Sequence, residues 1–247
     1  MDHTPIPAFL LVSGIFFAAG IVKGMLGMGL PTLAMGLLGL LMPVPQAASL
    51  LTLPSLVTNV WQAVAGRPLR GLVAKLWRLQ LGIVAGVVCA GLLPVQGDGI
   101  ARLLLGACLL AYGISGLAGW RPRPIAERGQ GVAALAAGVV TGVITGITGV
   151  FVIPAVPYLQ TLQLDRKDMV QALGLCFSTS TIALAVLLAA RGHLGFSGSL
   201  HSALALAPAL AGMLVGQKLR DWMSEASFRR CFFGGMGLLG GWLVATC

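Results

Sequence analysis

Gly20-Ile21-Val22-Lys23-Gly24-Met25-Leu26-Gly27-Met28-Gly29-Leu30-Pro31 closes an apolar run that opens near residue 8. Gly142-Val143-Ile144-Thr145-Gly146-Ile147-Thr148-Gly149-Val150-Phe151-Val152-Ile153-Pro154 closes a second, near 131 to 152. Both stretches lose helical regularity, because glycine leaves backbone amides uncovered and proline lacks an N–H while suiting the first turn of a new helix. Each is followed by an apolar piece too short to cross a bilayer unaided, Leu30 to Met42 and Phe151 to Leu162. These short pieces are expected to be half-helices or re-entrant segments. Irregular backbone at membrane depth is tolerated only where protein buries it or where it lines a wet cavity.

The two stretches belong to a longer series of matches. Gly20, Gly24 and Gly27 recur as Gly142, Gly146 and Gly149 at an offset of 122, Pro31 as Pro154 at 123, and Gln46 and Ser55 as Gln171 and Ser180 at 125. Gly86 recurs as Gly212 at 126, and Gly106 and Gly113 as Gly234 and Gly241 at 128. An offset that creeps without jumping marks a tandem duplication, with copies at 1–125 and 126–247. Apolar runs near 8–29, 44–65, 79–95, 101–119, 131–152, 170–190, 200–217 and 231–246 make eight candidate spans, four per copy. The expected fold is therefore an all-α polytopic membrane protein of about eight transmembrane helices, with broken helices near Gly27-Pro31 and Gly149-Pro154. An even number of crossings would give both copies one orientation, and a fifth crossing would invert the second. Four spans put Arg67 to Arg78, Arg121 to Arg128, Arg191 and both termini on one side, as the positive-inside rule favours, with the Lys218 to Arg230 loop misplaced. The shared orientation is the preferred expectation.

Composition excludes a soluble domain: 57% of the 247 residues are hydrophobic and 9% charged, at a mean hydropathy of +0.93. The 35 glycines suit close helix packing in a bilayer. A net charge of +9 is spread over loops, which fits contact with anionic lipid, and no domain exists to carry a nucleic-acid patch. Cys89, Cys108, Cys176, Cys231 and Cys247 have no metal or redox spacing, and the thiols read as structural. Asp2 and His3 are unlike a basic leader, so the first run reads as a retained span of a multi-pass protein.

Lys23 is the only charge deep within a run, and a lysine there is a functional candidate, since burying it at a span centre costs about 2.5–3.5 kcal/mol on insertion scales. Snorkelling to the nearer interface is the bland alternative. Thr145 takes the matching place in the second copy. Ser55, Thr58, Asn59 and Gln62 form one polar helical face, and Gln171, Ser178, Ser180 and Thr181 supply polar groups in the matching span. Interhelical hydrogen bonding, or bonding back to the helix, accounts for many such residues, just as close crossing accounts for many of the glycines. New helices beginning near Leu30 and Val152 would present free N–H groups, which suit an anion. The candidate substrate-binding set is Lys23, Gly24, Gly27, Gly29, Pro31, Asn59, Gln62, Thr145, Thr148, Gly149, Pro154, Ser178 and Ser180.

Enzyme chemistry has little support. His3, His193 and His201 read as terminal or loop residues, as do Asp2, Asp98, Glu127, Asp165, Asp168, Asp221 and Glu225. No catalytic residue, metal ligand set or cofactor site is expected. A proton carried during transport would ride on Lys23 or on the substrate itself.

At the two glycine motifs the chain resembles the sulfite exporter family TauE/SafE. It is most similar to a branch with K-G-x-x-G-x-G-x-P, here Lys23 to Pro31, then L-P-S-L-V-T-N-x-W-Q at Leu53 to Gln62. The second copy similarly shows T-G-V-F-V-x-P-x-V-P-Y-L-Q from Thr148 to Gln160 and V-Q-A-L-G-L-x-F at Val170 to Phe177. The resemblance implies export or exchange of sulfite, organosulfonates or related small anions across a bacterial inner membrane. The residues alone reach a transporter that favours anions, partnered by the bilayer and compatible with a homo-oligomer. A carrier of small carboxylates and a non-transporting scaffold remain as alternatives.

Overall fold

The computed structural model describes residues 6–66, 68–93, 97–120, 122–194, 196–220, 222 and 224–246. Asp2, His3, Arg67, Arg121, Asp221 and Cys247, all named above, lie outside the described residues.

Ten helices follow in order: α1 Ile6–Leu26, α2 Leu30–Leu41, α3 Val44–Val64, α4 Arg70–Leu92, α5 Asp98–Leu117, α6 Glu127–Thr148, α7 Ala155–Thr161, α8 Arg166–Ala190, α9 Phe196–Leu219 and α10 Glu225–Ala245. The glycine motifs end helices where expected. Gly27 (φ 73°) stops α1, Gly29 (φ 101°) precedes α2, and Gly149 (φ 70°) stops α6. The short pieces resolve into α2, about 18 Å long at 1.5 Å per residue, and the seven-residue α7. Carboxylates cluster where helices begin: Asp98, Glu127 and Asp168 lie in first turns, and Asp165 caps α8 by accepting from the Asp168 N–H at 2.7 Å. His201 lies inside α9, not in a loop as the sequence reading has it.

Six of these helices, α1, α4, α5, α6, α8 and α9, are long and apolar enough to cross a bilayer by length and composition. α3 and α10 have the length, 21 residues each, but not the apolarity. In α3 the cause is its buried polar side, from Ser49 to Gln62. Large apolar side chains such as Leu81, Val88, Leu92, Val132, Val186, Leu204 and Leu238 face outward, as lipid contact requires.

Close backbone approach sets the pairing. Gly20 and Gly24 of α1 lie against the α9 backbone, where a methyl on Gly24 would come within 2.8 Å of the Gln217 nitrogen. Gly138 and Gly142 of α6 pack on Gly82 and Gly86 of α4 in the same manner. The close-crossing alternative is therefore real for Gly20, Gly24 and Gly142. Residue numbers rise together in both pairs, so α1 runs parallel to α9 and α4 parallel to α6. Contacts Lys23 to Asn59 and Gly27 to Gln62 make α1 parallel to α3, while Gln80 to Cys176 and Ala90 to Arg191 make α4 parallel to α8. By contrast, α3 and α8 are antiparallel (Ser55 to Thr181, Gln62 to Val170), as are α5 and α10 (Gly106 to Gly240, Gly116 to Phe233).

Residues 1–125 and 126–247 each carry the series long, short, long, long, long. Corresponding helices run in opposite directions, so the shared orientation preferred from loop charge is corrected to the inverted arrangement. The physical reason is α2 and α7: each reverses the chain once more, adding a fifth element that a span count omits. Arg191 and the end of α10 consequently lie on the opposite face from Arg70 and Arg128, not beside them.

Candidate functional site

Lys23 lies one turn before the break that ends α1, and it does not snorkel: it is 3% exposed and its ammonium donates to Asn59 Oδ1. The acceptor is a neutral amide, and among the described residues no carboxylate bonds to it. Asn59 is held in turn. Its Nδ2 donates to Ser55 Oγ at 2.9 Å, and Ser55 Oγ lies 3.1 Å from Thr181 Oγ1. Thr181 spends its one hydrogen on the Phe177 carbonyl at 2.7 Å, so Ser55 must be the donor to Thr181. Every donor therefore points away from Lys23, and the Asn59 carbonyl is forced toward the ammonium. One turn further along α3, Gln62 Nε2 donates to the Gly27 carbonyl at 2.8 Å and to the Val170 carbonyl at 3.0 Å. This ties the α1 break to α8.

Above Lys23 lies a cleft of about 1040 Å³, lined by Gly24, Gly27, Met28, Thr58 and Gln62 on its inner side. Its outer walls carry Trp61, Trp120 and Phe233, and its rim carries Arg166, Arg220 and Arg229. Asn59, fully buried, stands behind Lys23.

The candidates from residues 126–247 gather elsewhere. Thr145 donates to the Thr141 carbonyl at 2.7 Å, and Thr148 donates to the Ile144 carbonyl at 2.8 Å while accepting from the Val150 N–H. Gly149 lines a separate cleft of about 530 Å³ with Gly146, Ile147, Leu184 and Leu187. Pro154 immediately precedes α7, a helix too short to present a useful dipole end. Ser178 bonds back to the Gly174 carbonyl at 2.7 Å. Ser180 Oγ is buried and has no partner among the described residues. At the repeat offset, Asn59 and Gln62 correspond to Leu184 and Leu187, so the polar set around Lys23 has no counterpart.

The structure thus assembles Lys23, Gly24, Gly27, Asn59 and Gln62 and separates them from Thr145, Thr148, Gly149, Pro154, Ser178 and Ser180. Gly29 and Pro31 face protein, not the cleft: a methyl on Gly29 would sit 2.8 Å from Val22 Cγ1 and 3.0 Å from Phe232 Cζ. With its φ of 101°, Gly29→Ala is expected to destabilise the protein by about 1–3 kcal/mol, read as a lower thermal midpoint in detergent. The sequence reading left the rim arginines out of the site. They are brought together from three helix ends, and only the clustering of basic residues near those ends hinted at them.

Fold and cleft together define a polytopic helical membrane protein with a cationic cavity reaching into it from one face. The chain belongs to the sulfite exporter TauE/SafE family, whose model matches residues 12–243. It is 26% identical over 238 residues to the "Probable sulfite/organosulfonate exporter TauE" of Cupriavidus necator, covering 91% of this chain and 87% of that protein. No solved structure matches it.

Proposed function

We propose that the chain exports small sulfur-containing anions, sulfite or organosulfonates, across a bacterial inner membrane, with Lys23 as the group that binds the anion. One observation carries this reading: a buried ammonium at the floor of an arginine-rimmed cleft has, among the described residues, only a neutral amide for a partner. Burying a charge is stabilised chiefly by pairing, and an oxyanion in the cleft supplies the missing counter-charge. The Gln62 and Thr58 side chains shape the cleft floor, and the arginines at the rim raise the local anion concentration. Family membership and the named relative support the substrate class. The partners in this reading are the anion and the bilayer.

The size of the cleft and its Trp61, Trp120 and Phe233 walls favour an organic anion over sulfite alone, which keeps small carboxylates as the rival cargo. Flux in proteoliposomes decides. Sulfite or an alkanesulfonate should move down its gradient and be outcompeted by the other. Preference for carboxylates would replace the substrate assignment, and failure of every anion under any gradient would overturn transport.

Asn59→Asp offers an internal check. A carboxylate in place of the amide would pair with Lys23 and occupy the charge meant for cargo. Flux should fall by about tenfold or more while the size-exclusion profile stays unchanged. Retained flux would remove Lys23 from the site.

A further inference from the structure

The smaller cleft is not a side pocket of the larger one. Its lining comes from the end of α6 (Gly146, Ile147, Gly149), the end of α8 (Leu184, Leu187, Arg191), the start of α3 (Val44, Ala48) and the start of α5 (Asp98, Ala101). The larger cleft is lined by the end of α1, the end of α3, the start of α8 and the start of α10, and in addition by α7 and the ends of α5 and α9. Exchange of the two halves, α1 for α6, α3 for α8 and α5 for α10, converts the lining of the smaller cleft into the first four of these. Because the halves are inverted, the clefts open on opposite faces. Between them lie the directed chain from Lys23 to Thr181 and the Phe151 and Phe177 rings, whose centroids are 5.1 Å apart.

Charge gives the two faces different characters. Among the described residues, Arg70, Lys75, Arg78, Arg123, Arg128, Arg166, Lys167, Lys218, Arg220, Arg229 and Arg230 lie at or within about two turns of the face where α1, α3, α5 and α9 end. Only Arg102 and Arg191 lie toward the other. Arg102 is spent on the Gly39 and Leu40 carbonyls, and Arg191 on those of Ala90 and Gly91. The Lys218 to Arg230 loop, misplaced under a shared orientation, joins the basic side under the inverted one.

We propose that residues 1–125 and 126–247 are inverted copies of one unit, that the larger cleft is the cytoplasmic loading vestibule, and that the smaller cleft is the vestibule from which the anion leaves on the outer side. The inference rests on the export reading above and adds the two vestibules that such a route needs. A rim of three arginines concentrates anions on the basic, cytoplasmic face. The exit carries Arg191 with Asp98 opposing it, and leucines stand where Asn59 and Gln62 stand at the loading side. An anion crossing from Lys23 toward Leu184 therefore moves from a strong site to a weak one, which favours release. The halves alternate by exchanging the conformations of their broken helices, the arrangement that inverted repeats allow.

Single cysteines in a cysteine-free background test this, at Met169 for the loading vestibule and Ile147 for the exit, using an impermeant cationic thiol reagent that does not compete as an anion. Met169→Cys should label only in inverted membrane vesicles and Ile147→Cys only in intact cells or spheroplasts. Saturating sulfite should change the two labelling rates in opposite directions, severalfold. Labelling of both from one side, or rates that move together, would overturn the proposal. If the sides hold and a carboxylate but not sulfite gives the reciprocal change, the vestibules stand and only the substrate assignment falls.

Discussion

Lys23→Met should reduce anion affinity by about ten- to a hundredfold, because a hydrogen bond to a charged group contributes about 1.5–3 kcal/mol and each 1.4 kcal/mol is a factor of ten. Methionine is nearly the same length and apolar, so the α1 backbone keeps its packing on α9. The variant leaves the Asn59 carbonyl buried without its donor, a destabilisation of about 1–3 kcal/mol. Two readouts keep the effects apart: the thermal midpoint reports the stranded amide, and the concentration dependence of sulfite flux reports the lost charge. Lys23→Arg should not rescue, since a planar guanidinium fork cannot reproduce the bond that the compact ammonium donates to the buried Asn59 Oδ1. Undiminished affinity in Lys23→Met would place the anion elsewhere in the cleft.

Gly142→Ala should be the most damaging of the small-residue changes. The added methyl would sit 2.7 Å from the Val87 nitrogen and 2.8 Å from Gly86 Cα, both backbone atoms that no rotamer change can move. Separating α4 from α6 places the cost at the upper end of about 1–3 kcal/mol for overpacking, with a marked loss of monodisperse protein. Gly241→Ala is the control. Nothing lies within 4 Å of the position of its methyl, and removal of a helical glycine gains up to about 1 kcal/mol. Opposite signs at two glycines in membrane helices are the expected result, and equal behaviour would deny that backbone contact decides.

The breaks were legible because glycine and proline act locally: the chain stops being helical at Gly27 and Gly149 whatever packs around it. Lys23 and the Asn59 face were legible for a similar reason, since a charge and two amides inside apolar runs need partners wherever they lie. Orientation was not. It depends on whether a 12-residue and a seven-residue helix reverse the chain, which only packing reveals. The rim of the large cleft was equally hidden, because only packing brings Arg166 at the start of α8 beside Arg220 and Arg229, which flank the connection from α9 to α10. Composition also misjudged the candidates in residues 126–247. Ser178, Thr145 and Thr148 look like ligands in a list, but each hydroxyl donates to a carbonyl of its own helix.

The parallel pairing of α1 with α9 and of α4 with α6 has a consequence for biosynthesis. The first helix finds its principal neighbour only after 170 more residues, from Leu26 to Phe196, have been made. At about 5–20 residues per second that is a wait of roughly ten to thirty seconds. During it Gly20 and Gly24 offer lipid a bare groove, while α3 arrives early enough to cover the Lys23 charge with Asn59. Asn59, carried by α3, is thus in the chain as an acceptor for the Lys23 ammonium well before α9 is made. Severing the chain between the halves would leave each with its longest grooves unfilled until the fragments met.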